Sequence, residues 1–214
     1  MKTMSNYSKE FVNSVVKRLA QMTYIRPEEI PNIDLYMDQV TTFMEDHLKD
    51  TKRKSDDKIL TKTMINNYAK NDLLPPPVRK KYSEDHMIML IFIYYFKNVL
   101  SISDIQSLLT PLSEGFFGGQ GSVSLEKIYK EIYNYERGHM VDIAKFISLS
   151  QRDSQNLFSD VKDENEQKYL QLFSLVCMLS FDVFAKKHVI QSVIDQLNAM
   201  RAQEQAPDKK SKKK

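Results

Sequence analysis

Residues 87–96 read MIMLIFIYYF, ten apolar side chains without interruption. That is about half of the ~20 residues a bilayer requires, so the run predicts a buried core helix rather than a membrane span. A chain of 214 residues is long enough to build a core around it, as one large domain or two modest ones. A second apolar stretch, 169–185, is broken by Gln171, Ser174, Ser180 and Asp182, and a carboxylate is costly in lipid. It too is expected to be an interior helix, and no membrane partner is expected.

The remaining elements follow from apolar spacing and from cap residues. Phe11, Val12, Val15, Val16 and Leu19 repeat at helical intervals over 8–22, and a link carrying Pro27 and Pro31 leads to a second helix over 35–48. After a polar loop, Thr61 is the N-cap of a third helix, which must end before Pro75, Pro76 and Pro77 because prolines offer no amide donors. Ser83 caps a fourth helix with Glu84 and Asp85 in its first turn, where carboxylates suit the helix dipole. Ser101 with Asp104 three residues on forms a capping box for a fifth, whose buried stripe is Ile102, Ile105, Leu108 and Leu109. Four of the five glycines lie between Gly115 and Gly121, which predicts a hinge and the main boundary. Beyond it, Ser124 starts a helix through Tyr133, another contains Met140, Ile143, Ala144 and Ile147, and a long last helix runs over about 167–202. No strand pattern is seen, so the expected fold class is all-α.

The charge is unevenly distributed. The formal net charge is +3, yet 208–214 hold five lysines against one aspartate, so the body is close to neutral. Within the body, 49–82 carry ten Lys or Arg against four Asp, a +6 island on an otherwise acidic surface. Such an island is the electrostatic footprint expected of a phosphate-binding face, although an ordinary solvated loop has the same composition.

The third helix, TKTMINNYAK at 61–70, sharpens the reading. Met64, Ile65 and Tyr68 fall on one face; Lys62, Thr63, Asn66, Asn67 and Lys70 fall on the other. Asn pairs bidentately with adenine, Lys reaches guanine or phosphate, and free backbone amides at the helix start, Thr61, donate to a phosphate. A plain surface helix with two asparagines is the alternative.

The sequence then continues NDLLPPPVRKKYSEDHMIMLIFIYYFKNVLSISDIQSLL. This resembles the MerR-type DNA-binding domain: Leu73 and Leu74 match its turn leucines, Pro75 to Pro77 and Arg79 its proline-basic segment, and Tyr82 with Ser83 its helix start. Leu90 and Ile93 match its next helix, and Ser101, Asp104 and Ile105 its last capped one. More narrowly, IDLYMDQV at 33–40 followed by LTKTMINNYAKNDLLPPPVRKKYS is similar to a bacterial family known as domain of unknown function 1836, over about residues 30–112. The resemblance implies a MerR-like helix-turn-helix N-terminal domain with 61–70 as recognition helix, followed by a C-terminal helical region. Three departures stand out. Asn66, Asn67 and Tyr68 replace Arg-Tyr-Tyr, Asp72 replaces the turn glycine, and only eight residues separate Leu74 from Ser83, which predicts a shortened wing with little room for a β-hairpin.

Other chemistry finds no support in the residues. His47, His86, His139 and His188 are dispersed and expected at the surface, the GFFGGQG stretch lacks the Lys-Ser/Thr of a phosphate loop, and lone Cys177 is expected to pack in an apolar stripe. One cysteine excludes an internal disulfide framework, and MKTMSNYSKE shows no leader pattern, so a cytoplasmic location is expected. Tyr129 and Tyr133 are expected in the core.

The expected organisation is an N-terminal helix and link over 1–30, the helix-turn-helix domain over 31–114, the hinge over 115–123, a dimerisation or effector region over 124–203, and a basic tail over 204–214. The expected function is a DNA-binding transcriptional regulator, not an enzyme, contacting double-stranded DNA through Thr61, Lys62, Thr63, Asn66, Asn67, Lys70, Arg79, Lys80, Lys81 and Tyr82. A homodimer and a small-molecule effector are expected; no cofactor or metal is. The alternative is a helical protein-interaction module that has lost DNA binding.

Overall fold

The computed structural model describes residues 14–17 and 25–204. Of the helix expected over 8–22, residues 14–17 are described and are helical; the lysine tail at 208–214 lies outside the described residues. The described elements run β1 (Leu35–Tyr36), α1 (Met37–Leu48), α2 (Lys62–Lys70), β2 (Lys81–Tyr82), α3 (Glu84–Phe96), α4 (Ile102–Gly115), α5 (Leu125–Gln155) and α6 (Glu164–Glu204).

Helix α3 is the interior helix that its composition requires, with every residue from 87 to 94 buried. Val40, Met44 and Leu48 of α1, Ile65 and Tyr68 of α2, and Ile105 and Leu109 of α4 surround it. Removing each such side chain from water contributes about 1.5–3 kcal/mol, which is why the apolar run organises this half of the chain. The glycine cluster does not interrupt this core: Leu125 and Tyr129 of α5 belong to it, and the Tyr129 hydroxyl donates to the Ile25 carbonyl at 2.6 Å. The edge of one ring meets the other between Phe92 and Tyr129, with centroids 5.6 Å apart. The linker itself docks on α3, since the Gly118 amide donates to Asp85 Oδ2 at 2.7 Å and Phe117 packs edge-on against His86.

The caps are where the residue types place them. The Thr61 hydroxyl accepts from the Met64 amide at 3.2 Å, and Ser124 Oγ accepts from the Lys127 amide at 3.1 Å. Ser101 and Asp104 exchange bonds of 3.1 and 3.3 Å in a reciprocal capping box. Helix α4 contains Pro111, which has no amide to offer the Ser107 carbonyl one turn back. The Arg201 guanidinium of α6 fills that vacancy, donating to the Ser107 oxygen at 2.7 Å, and Ser107 Oγ also bonds Asn198. A helix defect in α4 thus becomes the attachment point for the end of α6.

Several expectations need correction. The second helix starts at Met37 rather than residue 35, because Leu35 and Tyr36 pair antiparallel with Tyr82 and Lys81. Two-residue strands are too short to leave an alternation in the sequence. The stretch between Leu74 and Ser83, expected to leave little room for a hairpin, holds one: Val78 and Lys81 exchange backbone bonds of 3.1 and 2.9 Å around the two-residue turn Arg79-Lys80. The two helices expected after Ser124 are one, since Gly138 is accommodated inside the 31-residue α5. The polar stretch after Ser150 continues α5 to Gln155 before the chain turns, with Phe158 at φ 58. The Gln171 side chain donates back to the Gln155 and Leu157 carbonyls at 2.8 and 3.1 Å, which satisfies groups that a helix end leaves open.

Helix α6 departs most from expectation. It was expected to be interior over 169–185, yet of that stretch only Leu175 is buried, while Tyr169, Phe173, Val176, Phe181, Val183 and Phe184 are exposed. Cys177 is exposed with them. The reason is geometric: α5 runs beside α6 on one side only, and the helix is apolar on more than one. Among the described residues α6 is the one helix long and apolar enough to cross a membrane.

Candidate nucleic-acid interface

Helix α2 divides as its sequence divides. Ile65 and Tyr68 are buried and Met64 half-buried against the core, while Lys62, Thr63, Asn66, Asn67 and Lys70 are exposed. The Thr61 hydroxyl is committed to the Met64 amide, so the Lys62 and Thr63 amides are the ones free to meet an anion. At the other end the Leu73 and Leu74 amides close on the Tyr68 carbonyl at 2.9 and 3.3 Å. Asp72, which stands where the MerR-type pattern has glycine, adopts φ 55 and keeps the left-handed turn that glycine would make.

The hairpin tip carries the other half of the surface. Arg79 at φ 52 and Lys80 at φ 65 are both exposed and both left-handed. Two-residue turns of this kind favour Asn-Gly, and a residue with a Cβ costs about 1 kcal/mol or more in that conformation. The chain thus maintains two long cations in a turn that glycine and asparagine would make with less strain. Such strain is more often found at functional positions than elsewhere.

The two halves are braced on one short stretch of α1 and its approach. Lys62 forms an ion pair with Asp38, and the Lys81 ammonium lies 5.3 Å from the centre of the Tyr36 ring. Both partners of the Lys62 pair are exposed, so it contributes at most about 1 kcal/mol and leaves the lysine available to exchange its partner. Tyr82, by contrast, is 3% exposed with its pKa raised by burial; its ring packs edge-on against His86, so it supports the turn from beneath instead of facing solvent.

Two residues of note escaped the sequence reading. His86, expected at the surface, is 2% exposed; its Nδ1 accepts from the Ser83 amide at 3.0 Å and lies 2.8 Å from Ser83 Oγ. Burial holds its pKa below the ordinary histidine value, while the Pro75 and Pro76 carbonyls and the Asp85 and Asp34 carboxylates pull weakly the other way. The Nε2 nitrogen completes no hydrogen bond. Its position three residues after a serine cap was the available signal. The second, Lys97, follows the apolar run directly and reaches back to the loop before α2, donating to the Ile59 carbonyl at 2.6 Å. Among the described residues no group of three or more His, Cys, Asp or Glu side chains comes together as metal ligands would.

The fold and this surface define a mostly helical protein whose central domain presents a basic helix and a basic hairpin to solvent. The chain belongs to the family described as Domain of unknown function (DUF1836), whose model matches residues 25–132. Those bounds follow the core closely, since Ile25 and Tyr129 are hydrogen-bonded to each other near its two ends. No curated protein and no solved structure matches the chain.

Proposed function

We propose that the protein is a DNA-binding transcriptional regulator that reads duplex DNA with α2 and grips the backbone with the hairpin tip. The observation that carries this reading is the pairing of an exposed Lys-Thr-Asn-Asn-Lys face with a strained turn holding Arg79 and Lys80, both braced at residues 36–38. Asn66 and Asn67 are suited to base edges, Lys62, Lys70, Arg79, Lys80 and Lys81 to phosphates. The MerR-type resemblance supports the same assignment, with α1 and α2 as the helix pair and the hairpin as a reduced wing.

The reading includes a homodimer formed through α5 and α6. Tyr169, Val176, Val183 and Ile190 are all exposed and fall seven residues apart, the spacing of a helix-to-helix seam. Pairing two chains along it gives the two-fold arrangement with which such proteins read paired half-sites. A second reading, a helical protein-interaction module, is favoured by the absence from α2 of the arginine that the MerR-type pattern carries where Asn66 stands.

The test uses residues 1–207, so that the lysine tail cannot contribute. Retention of duplexes from a random pool, with a steep salt dependence and an enriched sequence, is expected. Reversing Lys62, Lys70, Arg79 and Lys80 to glutamate should weaken binding by about a hundredfold or more and lower the salt slope by about 3–4. Unchanged binding by that variant with its fold intact would remove the site assignment, and no binding by the parent at low salt would leave the interaction module.

A further inference from the structure

Away from α2's exposed face, the loop that precedes it and the C-terminal end of α3 enclose an open cleft of about 440 Å³. This lies within the range of roughly 300–1,000 Å³ typical of small-molecule sites. One wall is the loop, contributing Arg53, Asp57 and Lys58; the other is α3 and its cap, contributing Tyr94, Tyr95 and Lys97.

Its charges are unbalanced. Lys52 also lines the cleft but is paired with Glu45, and Asp57, which accepts from the Lys54 amide at 2.9 Å, is the one carboxylate in the lining. Arg53, Lys58 and Lys97 form no salt bridge among the described residues. Lys97 is the informative one. Its ammonium is half-buried, which lowers its pKa, and among the described residues its contacts are the Ile59 carbonyl and the face of Tyr94, 4.8 Å from the ring centre. A desolvated cation without a carboxylate is costly to maintain. A lysine at the end of a helix is favoured by the helix dipole, and that would account for Lys97 alone. It does not account for Arg53 and Lys58 lining the same cleft.

We infer that this cleft binds a phosphorylated small molecule bearing a planar ring, with Lys97, Arg53 and Lys58 taking the phosphate and the half-buried Tyr95 side chain receiving the ring. Three cations on two walls suit a multiply charged oxyanion better than a single carboxylate, and the guanidinium fork of Arg53 matches two of its oxygens. The same cations would also accept a DNA backbone phosphate, so the test separates the two sources. The binding proposal does not depend on the DNA-binding reading, because its measurement contains no DNA.

The 214-residue chain is titrated with ADP by calorimetry. One site per chain is expected, with adenosine, which lacks the phosphates, giving no binding. Lys97→Met and the double variant Arg53→Gln/Lys58→Gln should each weaken ADP by about tenfold or more, whereas Lys80→Gln and removal of residues 208–214 should not. Arg53 and Lys58 are exposed, so the double variant decides the matter if Lys97→Met fails to fold. Absence of ADP binding up to about 1 mM, or equal affinity for adenosine, overturns the proposal. It is also overturned if the double variant binds ADP normally but loses duplex DNA, which would make these cations backbone contacts.

Discussion

Arg79 and Lys80 set stability against binding within two residues. Replacing them by the pair their conformation favours, Arg79→Asn with Lys80→Gly, relieves left-handed strain and should raise the unfolding free energy by about 1 kcal/mol in urea titrations. The same change should weaken duplex binding, and a destabilised variant would show that the turn is not strained. His86 supplies a pH dependence of known sign. Because burial depresses its folded pKa below 6.5, the unfolded chain takes up the proton more readily. Its contribution to stability is therefore full above about pH 6.5 and is lost as pH falls toward the folded value. Unfolding measured from pH 7.5 down to 5.5 should show a shallower decline for His86→Gln than for the parent. The strain at the turn was not readable in advance, and for His86 the sequence signalled the cap bond to Ser83 but not the burial. Positive φ at a basic pair contradicts turn propensity, and the burial of His86 depends on Phe117, which arrives from thirty-one residues further along.

At the level of elements, caps were the legible part. Thr61, Ser101 and Ser124 each do what their residue type and spacing imply, because a cap is a local bond between neighbours in sequence. The illegible parts were those decided by distant partners. The strand pair joins residues nearly fifty apart, and no local pattern reveals that Gly138 stays helical when α6 runs alongside. Pro111 shows how such partners can be tested. If Arg201 serves the carbonyl that Pro111 leaves open, Arg201→Ala should cost about 1–2 kcal/mol in the parent. In a Pro111→Ala background, where an amide returns to Ser107, it should cost less. A double-mutant cycle with no coupling would mean that the guanidinium contact contributes nothing there.

For the whole molecule, the two apolar stretches make the comparison. Both 87–96 and 169–185 were expected inside; the first is wrapped by four helices, the second has α5 on one side and solvent elsewhere. Composition reports that surface must be covered and is silent on whether the same chain covers it. If a second copy does, light scattering should give a dimer, the melting temperature should rise with protein concentration, and Val183→Glu with Ile190→Glu should yield a folded monomer. A parent chain that is monomeric at all concentrations, or that floats with lipid vesicles, would exclude that arrangement.

Among the described residues the main core cluster lies between Ile25 and Tyr129, with Ile194 the one contribution from α6. During synthesis the wrapped domain therefore has nearly everything it needs before the long apolar helix leaves the ribosome. A newly made chain is then a finished domain carrying an uncovered greasy arm, the kind of surface that chaperones bind and proteases remove. Its abundance in a cell would be tied to how quickly that arm is covered, so changes that slow assembly should act on the amount of protein before they act on what each molecule does.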